Sequence, residues 1–150
     1  MIIVDRILQQ RERDGNPIKV GMIGAGFMGR GLANTIINAT PGMRLVAVAN
    51  RHLANARRAY EELGITELAE ADDARGVERA VSQDIPCVTE NPYALTEAGG
   101  IDALCEVTGA VEYGTRVTMS AIEHGKTCQI PPEPVLGLRA HPPGIRTRLR

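Results

Sequence analysis

"VGMIGAGFMGRGLAN", residues 20–34, sets three glycines in a G-x-G-x-x-G frame: Gly24, Gly26 and Gly29. Glycine supplies 16 of the 150 residues, so the frame alone decides little and its flanks must. Ahead of it, "IKVGMIG" is an unbroken apolar run bounded by turn residues, the pattern of a strand buried on both faces. Behind it, "FMGRGLANTIINA" reads as a helix closed by Thr40-Pro41-Gly42. In a strand–turn–helix of this kind the first glycine makes the bend, and the second admits close backbone approach by a pyrophosphate. The third lets the helix pack on the strand. The helix start then presents unpaired N–H groups and a positive dipole end to the phosphates. Ala25, Phe27 and Met28 carry no charge, as expected where backbone donors do the binding. A glycine-rich turn that binds nothing is the competing reading, and the next strand argues against it.

That strand, "RLVAVAN", ends at Asn50 and Arg51, about 20 positions beyond the loop, where such a unit places its ribose-reading residue. An acid there accepts from the ribose hydroxyls of NAD and repels a 2′-phosphate. Neutral Asn50 followed by Arg51, whose planar fork suits phosphate, makes NADP the first choice and NAD the second. Arg57 and Arg58 lie further along the following helix and read as a solvated face.

Outward from this unit the pattern repeats. Residues 1–14 read as an amphipathic helix with Ile3, Ile7 and Leu8 on one side. "LANARRAYEELG" is a helix stopped at Gly64, and residues 66–84 read as one irregular acidic helix. "PCVTE" is a third strand, Asn91-Pro92 caps and opens the helix "PYALTEA", and "IDALCEVTG" is a fourth strand before the helix "VEYGTRVTMSAIEHG". The fold class is α/β: a Rossmann-type, doubly wound parallel sheet, incomplete, with four or at most five strands. Ligands collect at the carboxyl ends of such strands beside the first, so Thr108 and Gly109 should border the ribose or nicotinamide. Glu106 reads as a satisfied carboxylate near that crevice, and His124 and Lys126 as helix-end groups.

After residue 126 the composition changes. Residues 127–150 hold five Pro, four Arg and a single acid, and "TCQI" runs into Pro131-Pro132, which cannot donate to a ladder. The expected division is a dinucleotide-binding domain over 1–126 and an irregular tail over 127–150, including His141.

Net charge is −1 and aromatic content 3%, which speaks against nucleic-acid recognition. No apolar run approaches the roughly 18 residues of a membrane span. Cys87, Cys105 and Cys128 are odd in number and lack a C-x-x-C pair, suiting free thiols in a reducing cytoplasm. No catalytic residue and no metal ligand set is assigned. The partners expected are a small-molecule substrate and, as an open alternative, further copies of the chain.

"IKVGMIGAGFMGRGLAN", "RLVAVANRHLANARRAYEELG", "VTENPYAL" and "IDALCEVTGAVEYGTRVTMSAIEHGK" together resemble the NADP-binding half of homoserine-dehydrogenase-like oxidoreductases. More narrowly, they resemble the SAF-domain branch with its 1-deoxy-D-xylulose 5-phosphate reductoisomerase-like members. The resemblance implies NADPH-dependent reduction of a small oxo substrate. It carries Gly24, Gly26, Gly29 and the Asn50-Arg51 corner over as cofactor contacts, with Thr108-Gly109 beside them. The family's catalytic acids, lysine and metal lie in a later domain for which this sequence has no positions. The Pro/Arg-rich ending suggests a truncated or frame-shifted product. Two functions follow: the cofactor half of an oxidoreductase, or a stand-alone dinucleotide-binding regulatory or sensor module without turnover.

Overall fold

The computed structural model describes residues 2–129. Its elements run α1 (Ile2–Arg13), β1 (Ile18–Ile23), α2 (Phe27–Ala39), β2 (Met43–Ala49), α3 (Leu53–Glu61), β3 (Ala69–Glu70), α4 (Ala74–Ser82), β4 (Cys87–Thr89), α5 (Pro92–Glu97), β5 (Ala103–Glu106), α6 (Val111–Glu123) and β6 (Thr127–Gln129). The strands form one sheet in the order β3-β4-β2-β1-β5-β6, and every pairing is parallel. The chain works outward from β1 to one edge, then crosses back to place β5 on β1's other side. That reversal opens a crevice at the carboxyl ends of the strands flanking β1.

The apolar runs explain the layering. Val20 and Met22 of β1 point to one face and join Ala33 and Ile36 of α2 with Ala56, Ala59 and Tyr60 of α3. Ile23 points to the other, joining Val77 and Val81 of α4, Leu95 of α5 and Val117 of α6. Alternation is intact, but both faces are covered, so the sequence shows a continuous apolar run. Tyr60 is fully buried, and its hydroxyl donates to the Leu45 carbonyl at 3.2 Å.

Two helix starts follow their sequence signals. Asn91 accepts from Tyr93 N with Pro92 opening α5, and Asp73 accepts from Gly76 N at the start of α4. α1 docks on the α2–β2 turn, where Gly42 N donates to Glu12 at 2.8 Å and a Cβ on Gly42 would overlap the Leu8 carbonyl. Ile7, assigned to the apolar side of α1, is exposed, whereas Leu8 is half-buried.

The expected strand count is corrected upward to six. β3 is a two-residue edge strand inside the stretch read as one irregular helix, too short to show any period. β6 forms just before the prolines and pairs with β5 from Ala103↔Thr127 to Cys105↔Gln129. Proline forbids its own place in a ladder, not the three residues before it. The strand lies past the expected boundary at 126, and the Pro/Arg-rich tail from residue 130, with His141, lies outside the described residues. Among the described residues no helix is long and apolar enough to cross a membrane.

The three cysteines are free. Burial pushes the Cys87 thiol from an ordinary value near 9 up to about 11. The unfolded chain ionises this thiol first, so its contribution to stability is complete below pH 9 and is lost as pH rises to about 11. Urea unfolding midpoints should therefore fall across that window, and less steeply in Cys87→Ala. An identical decline in the variant would remove Cys87 as the cause.

Candidate dinucleotide cleft

Each glycine of the loop has a different steric reason. Gly24 has φ +103°, and a Cβ there would stand 2.9 Å from the Val107 carbonyl carbon at the end of β5. Gly29 lies inside α2, where a Cβ would press on the Gly24 carbonyl oxygen. Gly26 is the N-cap of α2, has ordinary extended dihedrals, and would send a Cβ into open space. Two glycines are thus required by packing and the third keeps a path clear. The N–H groups of Phe27, Met28 and Gly29 precede the first turn's bond from Arg30 N to Gly26 O, so they have no intrahelical acceptor. With no acid in that turn, the helix start is an electropositive set of donors.

A cleft of about 280 Å³ opens over this loop, lined by Gly24, Ala25, Gly26, Asn50, Arg51, His52, Asn55, Thr108, Ala110 and Tyr113 among others. Most of the residues singled out in the sequence therefore meet there. Phe27 and Met28 do not line it with their side chains, which are 85% and 66% exposed and face a separate shallow groove with Arg30 and Leu63. Neither residue is part of the cleft lining. Gly109, at φ +69°, sits between Thr108 and Ala110 but is not itself part of the lining. A groove of about 450 Å³ lies at the opposite ends of the strands, where Arg44 pairs with Asp84 at 2.5 Å and Glu12 accepts from Gly42. Its charges are already partnered.

The rim is held by bonds the sequence did not announce. Asn50 Oδ1 accepts from Ala25 N at 3.0 Å, and its Nδ2 donates to His52 O at 3.0 Å. The side chain assigned to ribose reading braces the glycine loop against the start of α3. Glu106, 4% exposed, accepts from Thr108 N at 2.7 Å and from Thr108 Oγ1, while Thr108 Oγ1 accepts from Ala110 N at 3.2 Å. Gly114 leaves room for that carboxylate, since a Cβ would come within 2.6 Å of Glu106 Oε2. Glu106 is the satisfied carboxylate expected, and it does not line the cleft.

Arg51 lines the cleft, and among the described residues no carboxylate lies within ion-pair distance of it. Arg57 pairs with Glu70 and Arg58 with Glu62 (2.6 Å), as the solvated-face reading expects. Sequence reasoning missed Tyr113. It stands in the first turn of α6, and burial raises its phenol, with Tyr93 adding to the shift and Arg51 opposing it. The available signal was its spacing: the third residue of a helix opening just after the Thr108-Gly109 turn faces the crevice that turn borders.

The profile of an oxidoreductase family with an NAD-binding Rossmann fold matches residues 18–130. Among solved structures, a myo-inositol dehydrogenase from Lactobacillus casei, in complex with NAD(H) and myo-inositol, is 24% identical with a TM-score of 0.57. It is matched over 76% of this chain and 28% of its own. A 3-ketoreductase variant from Actinomadura kijaniata, in complex with TDP-benzene and NADP, is 26% identical with a TM-score of 0.54, over 77% of this chain and 30% of its own. The chain thus spans under a third of the length of these structures. A search of curated proteins finds no match. These findings correct the narrower resemblance: they support this broader family and neither the homoserine-dehydrogenase-like nor the reductoisomerase-like branch. The family description names NAD, the second choice of the sequence reading.

Because Ala25 is buried, removing its acceptor leaves an unmet N–H. Asn50→Ala should lower unfolding free energy by about 1–3 kcal/mol in urea titrations. An unchanged midpoint would show that Asn50 does not brace the loop.

Proposed function

The chain belongs to the oxidoreductase family with an NAD-binding Rossmann fold, GFO/IDH/MocA, and from that membership we propose that its cleft holds a nicotinamide adenine dinucleotide for redox chemistry on a small hydroxy or oxo compound. The single observation that carries the reading is the open space beside Gly26, between a locked bend at Gly24 and a locked helix at Gly29. In this reading the pyrophosphate lies against the N–H groups of Gly26, Phe27, Met28 and Gly29. Ala25 N is committed to Asn50 and orients the loop rather than the ligand. Asn50 and Arg51 mark the adenosine end, while Thr108, Gly109 and Tyr113 mark the nicotinamide end. The cofactor would supply the hydride chemistry, and this chain would bind and orient it.

Two neighbours support a polyol or sugar-like substrate class, one bound to myo-inositol and one to a TDP compound. The homoserine-dehydrogenase-like resemblance rests on the sequence segments alone and adds no substrate. A second reading, dinucleotide binding without turnover, draws support from Glu106: Oε1 of this buried carboxylate beside the cleft is taken up by the amide and hydroxyl of Thr108.

The test is Gly26→Val. A Cβ at this position meets no protein atom within 4 Å, so the chain should still fold, while NADH and NADPH should each bind at least roughly tenfold more weakly. Wild-type thermal midpoints should rise with dinucleotide, since a ligand that binds only the folded state stabilises it. Undiminished binding by a folded Gly26→Val chain would reject the site.

A further inference from the structure

We propose that Glu90, at the carboxyl end of β4, selects between the two dinucleotides, and that it selects NAD. The inference rests on the dinucleotide reading of the cleft and concerns the adenosine end of that same site.

Glu90 is not part of the cleft lining, but the sheet brings it beside Asn50, which is. β4 lies beside β2 with Thr89 in register with Ala49, and Asn50 N donates to Thr89 O at 3.0 Å. The next residues, Asn50 and Glu90, therefore leave the sheet side by side. Glu90 Oε1 accepts from Leu53 N, the first N–H of α3, at 3.1 Å. α3 has no acid in its own first turn, and its N-cap His52 makes no side-chain capping bond. The anion at this helix start is thus a carboxylate delivered from 37 positions away in the chain.

This changes the charge arithmetic at the end of β2. A 2′-phosphate carries about two negative charges near neutral pH. It needs a cation, which Arg51 supplies, and free donors, of which the start of α3 is the natural source. That source is occupied by a group of the same sign. The position that ordinarily reads the ribose holds Asn50, whose amide is bound at both ends to the loop and to His52. Glu90 takes the vacant part. Its second carboxylate oxygen accepts from a ribose hydroxyl of NAD, and its charge opposes the phosphate of NADP. Arg51 moderates that opposition without reversing it.

The experiment is calorimetric titration of the full chain with NADH and with NADPH at fixed ionic strength, for wild type, Glu90→Gln, and Glu90→Gln combined with Arg51→Ala. Glutamine keeps an oxygen for Leu53 N, so the helix start stays capped, and a urea midpoint checks that the variant folds. Wild type should bind NADH more tightly. Glu90→Gln should tighten NADPH by roughly three- to tenfold and weaken NADH, and removing Arg51 should cancel the NADPH gain. Equal changes for both cofactors would reduce Glu90 to a helix cap and overturn the proposal, as would a wild-type preference for NADPH. A wild type that binds neither cofactor, while folded, would reject the dinucleotide reading itself and this inference with it.

Discussion

Three pieces of backbone meet at the end of β1 with no space for a side chain between them. Gly24 passes within contact of the Val107–Thr108 peptide, and Gly29 packs on the Gly24 carbonyl. Because Gly24 alone can take φ +103° at low cost, the chain leaves β1 sharply enough for α2 to start directly above the sheet. The same contact fixes the end of β5 beside the loop, where Val107 N donates to Ile23 O at 2.8 Å. The starts of α2 and α6 consequently flank one crevice, and the cleft is a product of this close packing.

Around it the protein spends polar groups on bracing. Asn50 joins the loop to α3, Glu106 pins the Thr108 turn, and Glu90 caps α3. A buried carboxylate such as Glu106 is costly unless its charge is met by donors, and Thr108 offers both its amide and its hydroxyl. Gly114 is the steric counterpart of that arrangement, since any larger residue would push the carboxylate off its partners. The rim is therefore held by side-chain bonds that reach across separate elements of the fold.

What the sequence revealed was whatever depends on local pattern. The β1–α2–β2 unit, the bend at Gly24, the close packing at Gly29 and the Asn91-Pro92 helix start all follow from spacing and backbone preference within a few residues. β3 escaped because two residues carry no period, and β6 because adjacent prolines were allowed too long a reach. The bonds of Asn50 to Ala25 and His52 belong to the tertiary structure, and spacing along the chain does not show them. The preference for NADP came from reading charge along one strand end. Glu90 enters the same corner from a neighbouring strand, and only the sheet order shows it. The four segments that carried the resemblance match a different oxidoreductase family from the branch named for them.

The central proposal is that this cleft receives a dinucleotide. Backbone amide chemical shifts recorded while NADH is added to the isotopically labelled chain test it most directly. The account predicts the largest perturbations at Gly26 through Gly29, with Arg51, His52, Thr108 and Tyr113 following in the same saturable titration. Perturbations centred instead on the groove around Glu12, Arg44 and Asp84, or none at saturating NADH, would contradict it.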